Sequence, residues 1–169
     1  MTEADRIFAK FPSFIKEYIY SNGWSELRDV KLEAARVIFD TDANLLISSS
    51  TASGKTEAAF FPILTHIADD PDAARSVSVI YIAPLKSLSN DQFYRLEELI
   101  NDSGITLTHW HGDVGAGHKS SLLKNPSGIL QITPESLESM LMRRHNDIPR
   151  LFGSLKYVVI DEIHAMIGA

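Results

Sequence analysis

The chain has 169 residues, 44% of them hydrophobic and 22% charged, with 16 Lys and Arg against 22 Asp and Glu for a formal charge of −6. That is the composition of a globular domain; it excludes a disordered chain, and no apolar run approaches the ~18 residues needed to span a bilayer. Cysteine is absent, which excludes disulfides and thiolate metal sites, and the polar start Met1–Arg6 lacks a secretory apolar stretch, so a cytoplasmic protein without a membrane segment is expected.

In chain order, Phe14 to Tyr20 reads as a helix closed by Ser21-Asn22-Gly23. Val30 to Phe39 follows with apolar residues at Val30, Ala34, Val37 and Ile38, a helical spacing. Asn44 to Ser48 reads as a strand, and Lys55 to Ala68 as a helix that Pro62 can kink. Val77 to Ile82 is β-branched and apolar, the pattern of a strand buried on both faces. Ser87 to Ile100 is helical, Ile105 to His109 a strand, and His118 to Lys124 a short helix. Ile129 to Ile132 is a strand, Pro134 to Met142 a helix with proline in its first turn, and Tyr157 to Ile160 the last strand. Strands alternating with helices predict an α/β fold with a parallel, doubly wound sheet. Ligands of such sheets bind beyond the carboxyl ends of the strands, and every motif below falls at such an end.

The first motif is Ser49-Ser50-Thr51-Ala52-Ser53-Gly54-Lys55-Thr56, between a predicted strand and a predicted helix. Small residues let the backbone curl so that its N–H groups face a polyphosphate. Lys55 would reach the β- and γ-phosphates, and the Thr56 hydroxyl would ligate Mg²⁺. The helix beginning at Lys55 aims its positive end at the same anion. The pattern G-x-x-x-x-G-K-[ST] is met except at its first position, where Ser49 replaces glycine. The second motif is Asp161-Glu162-Ile163-His164 at the tip of the last strand. Asp161 would hold Mg²⁺, and Glu162 would orient and deprotonate the water that attacks ATP.

Together these motifs resemble the first RecA-like domain of a superfamily 2 helicase of the DExH/DEAD-box kind, and the resemblance covers roughly residues 14–167. Ala83-Pro84-Leu85-Lys86-Ser87-Leu88, continuing into Asn90-Asp91-Gln92, resembles motif Ia. Gly112-Asp113 resembles the family's Gly-rich turn near nucleic acid, Thr133-Pro134-Glu135-Ser136-Leu137 motif Ib, and Asp161-Glu162-Ile163-His164 motif II. The wording is similar to the Lhr and Ski2-like branches. The resemblance implies a P-loop NTPase fold with helices on both faces of the sheet, ATP and Mg²⁺ as cofactors, and catalytic roles for Lys55, Asp161, Glu162 and His164. It implies that Lys86, Ser87, Gly112 and the backbone around Thr133, Pro134 and Glu135 line single- or double-stranded nucleic acid. Such contacts go to the sugar–phosphate backbone and read no bases. The overall acidity disfavours unspecific nucleic-acid binding but leaves room for a local basic track. Arg143-Arg144-His145 reads as a solvated helix end rather than as part of that track.

The chain departs from the family at Lys31, which stands at the glutamine of the adenine-reading Q motif; lysine only donates, so looser adenine discrimination is expected. Ser49, Ser50 and Ala52 also differ from the usual loop wording but are small enough to keep the loop. The family further implies a motif III strand and a second RecA-like domain bearing an arginine finger. Residues 1–169 are therefore expected to be the N-terminal part of the ATP-binding domain, incomplete at the C-terminus and inactive alone. Two other classes compete. One is a non-catalytic nucleotide- or nucleic-acid-binding fragment. The other is a metal-dependent hydrolase using His109, His111 and Asp113, whose H-x-H-x-D spacing opens a dinuclear metal site but continues with Val114 instead of histidine.

Overall fold

A computed structural model describes residues 2–27, 29–48, 54–88, 91–112 and 115–166. The chain divides into two compact units, residues 1–69 with 98–103, and residues 70–97 with 104–169.

The first unit is helical. Helix α1 (Glu3–Lys10) opens on a capping box: Thr2 Oγ1 accepts from the Asp5 N–H and the Asp5 carboxylate accepts from the Thr2 N–H. Apolar spacing alone did not predict this helix. Helices α2 (Ser13–Ser21) and α3 (Asp29–Asp40) extend the predicted ones by one residue at either end. Helix α4 (Lys55–Ala68) matches its prediction and runs on through Pro62 without a break. One turn later the Thr65 hydroxyl donates to the Phe61 carbonyl at 2.7 Å. Phe61 is the centre of an aromatic cluster, with ring centroids of Phe11, Tyr18 and Trp24 at 5.6, 6.1 and 6.4 Å.

One predicted element of this unit is overturned. Asn44–Ser48 is not a strand, and Leu46 is 78% exposed. A strand exists only through ladder bonds to a neighbour. Among the described residues this segment has none, and its apolar run is left in irregular backbone.

The second unit is built on a four-stranded, all-parallel sheet in the order β2-β3-β1-β4, with β1 Val77–Ile82, β2 Leu107–Trp110, β3 Gly128–Ile132 and β4 Tyr157–Ile160. β1 and β3 are buried along their whole length, as their predominantly apolar character predicts, with Ser78 and Gln131 buried among the apolar residues. Ile80, Ile82, Leu130 and Ile132 pack with Leu122, Met140 and Leu151 into one core. Those three come from α7 (Ala116–Lys124), α8 (Pro134–Arg143) and the short α9 (Ile148–Leu151). β4 pairs only with β1 among the described residues, and its Val158 and Ile160 are half exposed, the signature of an edge strand. The predicted helix over Ser87–Ile100 is two pieces, α5 (Leu85–Leu88) and α6 (Asp91–Ile100). β2 begins two residues later than its prediction. Ile129 N–H bonds Thr106 O at 2.8 Å beside Gly128, whose φ of +68° only glycine adopts cheaply.

Candidate nucleotide site and nucleic-acid edge

The predicted Gly54-Lys55-Thr56 lies at the start of α4, in the first unit. Gly54 precedes it at φ +77° and ψ +40°, a left-handed conformation that favours glycine, and its carbonyl accepts the first helical bond from Ala58 N–H at 2.9 Å. Lys55 and Thr56 then occupy the first helical turn, both half-buried. Their backbone N–H groups are among those a helix start leaves without intrahelical partners. Ser49, Ser50, Thr51, Ala52 and Ser53 lie outside the described residues. Glu57, in the same turn, is buried at 3% exposure, and so is Lys31 at 5%. The Lys31 ammonium lies 4.1 Å from the centre of the Trp24 ring. The register of the Q motif placed this side chain at a base edge; the structure instead packs it inside the unit, because a long apolar stem and a cation both find partners there.

The predicted Asp161-Glu162 pair follows the end of β4, in the second unit. Asp161 N–H donates to Ile82 O at 2.9 Å, carrying the β1–β4 ladder one residue past the strand. The Asp161 carboxylate is held at both oxygens. Tyr81 Oη donates to Oδ2 at 2.8 Å, and Glu162 N–H donates to Oδ1 at 2.9 Å. Tyr81 is 2% exposed, so this bond reaches from the interior of β1 to the strand tip. Glu162 has φ +52°, the one non-glycine residue with positive φ among the described residues. Such a backbone costs on the order of 1–3 kcal/mol and clusters at functional sites. His164, in a 3₁₀ turn over Ile163–Ala165, places Nε2 3.0 Å from Glu162 Oε2. Three of the four predicted catalytic residues are thus brought together within this unit, and Lys55 belongs to the other.

Sequence reasoning missed Tyr81. The signal was present: one polar-tipped ring in a buried strand must find a hydrogen-bond partner. It also missed Trp24, whose meeting with Lys31 depends on how the chain packs.

The predicted nucleic-acid residues lie along the carboxyl edge of the sheet, just after β1, β2 and β3. Lys86 and Ser87 are in α5, where Ser87 N–H donates to Pro84 O at 2.9 Å. Gly112 follows β2 and is exposed, with open space where a Cβ would be. Thr133 is the N-cap of α8, 4% exposed, its hydroxyl accepting from Ser136 N–H at 3.3 Å. Pro134 opens that helix and Glu135 is exposed in its first turn. Beside them is a groove of about 510 Å³ whose lining includes Trp110, Lys119, Ser136, Arg143, Arg144 and Asp147, the last 3.8 Å from the Arg144 guanidinium. Lys119 Nζ and Arg144 Cζ stand 5.7 and 5.8 Å from the centre of the buried Trp110 ring. The arginines expected to be a solvated helix end are exposed, but they share a groove with a third cation.

The competing metal chemistry fares differently. His109 is half-buried in β2; burial, aided by the charges of His111 and His118, lowers its pKa to about 4. Asp113 lies outside the described residues, and among those described no group of three or more His, Asp or Glu could hold a metal ion. Likewise, no described helix is long and apolar enough to cross a membrane.

Comparison with known proteins bears on the whole arrangement. A sequence model described as DEAD/DEAH box helicase matches residues 28–169. The ATP-dependent helicase Lhr-Core of Methanothermobacter thermautotrophicus is 38% identical over 137 residues, covering 73% of this chain and 16% of that protein. The structure of the DUF1998 helicase MrfA bound to DNA and AMPPNP superposes with a TM-score of 0.79 at 29% identity, over 92% of this chain and 21% of that one. The Mycobacterium smegmatis helicase Lhr bound to ssDNA and AMP-PNP superposes with a TM-score of 0.75 at 26% identity, over 94% and 21% of the two chains. The chain thus spans about a fifth or less of the length of these relatives. The expected resemblance to the Lhr branch is borne out, and with the parallel α/β sheet and the motif order it leads to one conclusion: the chain belongs to the DEAD/DEAH box helicases, as a first RecA-like domain.

Proposed function

We propose that residues 1–169 form the N-terminal part of the ATP-binding domain of an ATP-dependent nucleic-acid helicase or translocase, acting in the cytoplasm with a second RecA-like domain. The observation that carries this reading is the Asp161–Glu162 pair, clamped by Tyr81 and set on a strained backbone at the end of a parallel strand. A solvated acidic pair has no need of such a clamp.

In this reading the loop Ser49–Thr56 wraps the phosphates of ATP, with Lys55 as the point charge on them. The donor set suits Mg²⁺: a threonine hydroxyl at Thr56 and a carboxylate at Asp161, both oxygen ligands for a hard cation. Asp161 already commits one lone pair of each oxygen to Tyr81 and Glu162, which favours contact through the ion's water shell. Bound with ATP, Mg²⁺ would neutralise phosphate charge. Glu162 positions the attacking water and takes its proton, and His164 at 3.0 Å holds the Glu162 carboxylate in orientation. Lys86, Ser87, Gly112 and the free N–H groups at the start of α8 near Thr133, Pro134 and Glu135 hold the nucleic-acid backbone, single- or double-stranded, along the sheet edge.

The test is calorimetric titration with Mg-ATP. Lys55→Ala should weaken binding by roughly 10- to 100-fold, the loss of a charge-assisted contact. Equal affinity for wild type and variant would refute the phosphate loop.

A further inference from the structure

The groove beside α7 and α8 gathers positive charge that folding does not require. Its charged lining is Lys119, Arg143, Arg144 and Asp147, a net of +2 on a chain whose formal charge is −6. Asp147 lies 3.8 Å from Arg144 and 4.0 Å from Arg150, so the one carboxylate of the lining already faces two guanidiniums. Among the described residues Lys119 and Arg143 have no carboxylate within ion-pair distance. Like charges held together repel, and an anion in the groove relieves that repulsion.

Two of the three cations are held in place from below. Trp110, at the end of β2, is 6% exposed and packs in one core with Leu122 of α7 and Met140 of α8. Lys119 of α7 and Arg144, just past α8, stand 5.7 and 5.8 Å from the centre of its ring. A ring so buried offers no face on which a base could stack, so the groove is not an aromatic platform. Ser136, Met140 and Arg143 share one face of α8 at helical spacing, and all three line the groove. Seven residues of helix carry that face about 10 Å from the first turn, next to Thr133 and Pro134, to the last.

We propose that this groove is a second phosphate-binding site, one that takes the sugar–phosphate backbone of a strand leaving the sheet edge at the start of α8 and continuing along that helix. The proposal rests on the nucleic-acid reading given above and extends its path beyond the predicted residues. A net of two positive charges suits about two phosphates. Lys119 and Arg143 neutralise them, and the Ser136 hydroxyl donates to a phosphate oxygen. No base is read.

Lys119→Gln/Arg143→Gln removes the two cations without carboxylate partners. Each single variant is measured as well, so that the test survives if the pair fails a thermal melt. Lys124→Gln removes a charge from α7 outside the groove and serves as the control. The whole protein is titrated at several salt concentrations with a thymidine-only single strand and with a mixed-sequence one, and separately with inorganic tripolyphosphate and with Mg-ATP. The pair should weaken both strands alike, by roughly tenfold near 0.1 M salt, and make the salt slope shallower by about 1.4, which is ~0.7 for each of two phosphates. Each single variant should show about half of that change in slope, while Lys124→Gln and the Mg-ATP affinity stay at wild type. A pair that binds strands as wild type does, or loses no more than Lys124→Gln, would overturn the proposal alone. So would a loss confined to one sequence, which would mean base reading. Tripolyphosphate binding that the pair abolishes while strand affinity is unchanged would assign the groove to a small phosphate compound and overturn it too. A wild type that binds neither strand removes the nucleic-acid reading itself, and this proposal with it.

Discussion

Replacing Tyr81 by phenylalanine deletes one oxygen from the interior of the second unit and keeps the ring. Tyr81 is 2% exposed and its hydroxyl donates 2.8 Å to Asp161 Oδ2, across 80 residues of sequence. A hydrogen bond to a charged acceptor is worth about 1.5–3 kcal/mol net. Asp161 is half-buried, so water can replace part of that, which lowers the cost to about 1–2 kcal/mol. The ring remains, so no cavity cost is added. If the bond orients Asp161 toward Mg²⁺, the loss appears in metal-dependent nucleotide binding as roughly a 5- to 30-fold weaker affinity. The assay is ATP titration of wild type and Tyr81→Phe with Mg²⁺ and again with chelator. The variant should bind more weakly only when Mg²⁺ is present. A uniform loss in both conditions, or none in either, would refute a positioning role for Tyr81.

Three further outcomes are expected. Gly54→Ala should cost about 1–2 kcal/mol for the left-handed backbone, read by chemical denaturation. His109 titrates near 4 when folded against 6.5 ordinarily, so the stability it contributes is present above pH 6.5 and is lost as pH falls toward 4. Discounted for partial exposure, wild type should lose about 1–2 kcal/mol over that window that His109→Gln retains, measured by urea unfolding at several pH values. Lys119→Glu with Arg143→Glu should weaken single-stranded nucleic-acid binding and flatten its salt dependence by about one unit of slope for each phosphate no longer neutralised; an unchanged slope would leave the groove outside the nucleic-acid path.

Much of this architecture was legible because period and punctuation agreed. Val77–Ile82 and Ile129–Ile132 are predominantly apolar runs and became buried parallel strands, and the helices predicted to begin at Lys55 and Pro134 begin there. Asn44–Ser48 misled because an apolar run is compatible with a strand but does not supply the neighbour that must pair with it. Helix α1 was missed although Thr2 and Asp5 spelled its capping box, because its apolar face is narrow and only Ile7 is buried. The residues of the two site motifs were readable as wording. Their supports were not: Tyr81 reaches Asp161 across adjacent strands, and Lys31 reaches Gly54 between two helices, meetings that no sequence spacing encodes.

The proposed function stands on Lys55 acting on ATP and on Asp161 acting through Mg²⁺. Titrating ATP into wild type, Lys55→Ala, Asp161→Asn and the double variant, with and without Mg²⁺, tests this directly. The expected result has three parts: Lys55→Ala weakens ATP in both conditions, Asp161→Asn weakens it only with Mg²⁺, and the double variant loses less than the two single losses combined when Mg²⁺ is present, because both residues act on one ligand. Losses that add fully, with an Asp161→Asn effect indifferent to Mg²⁺, would contradict it.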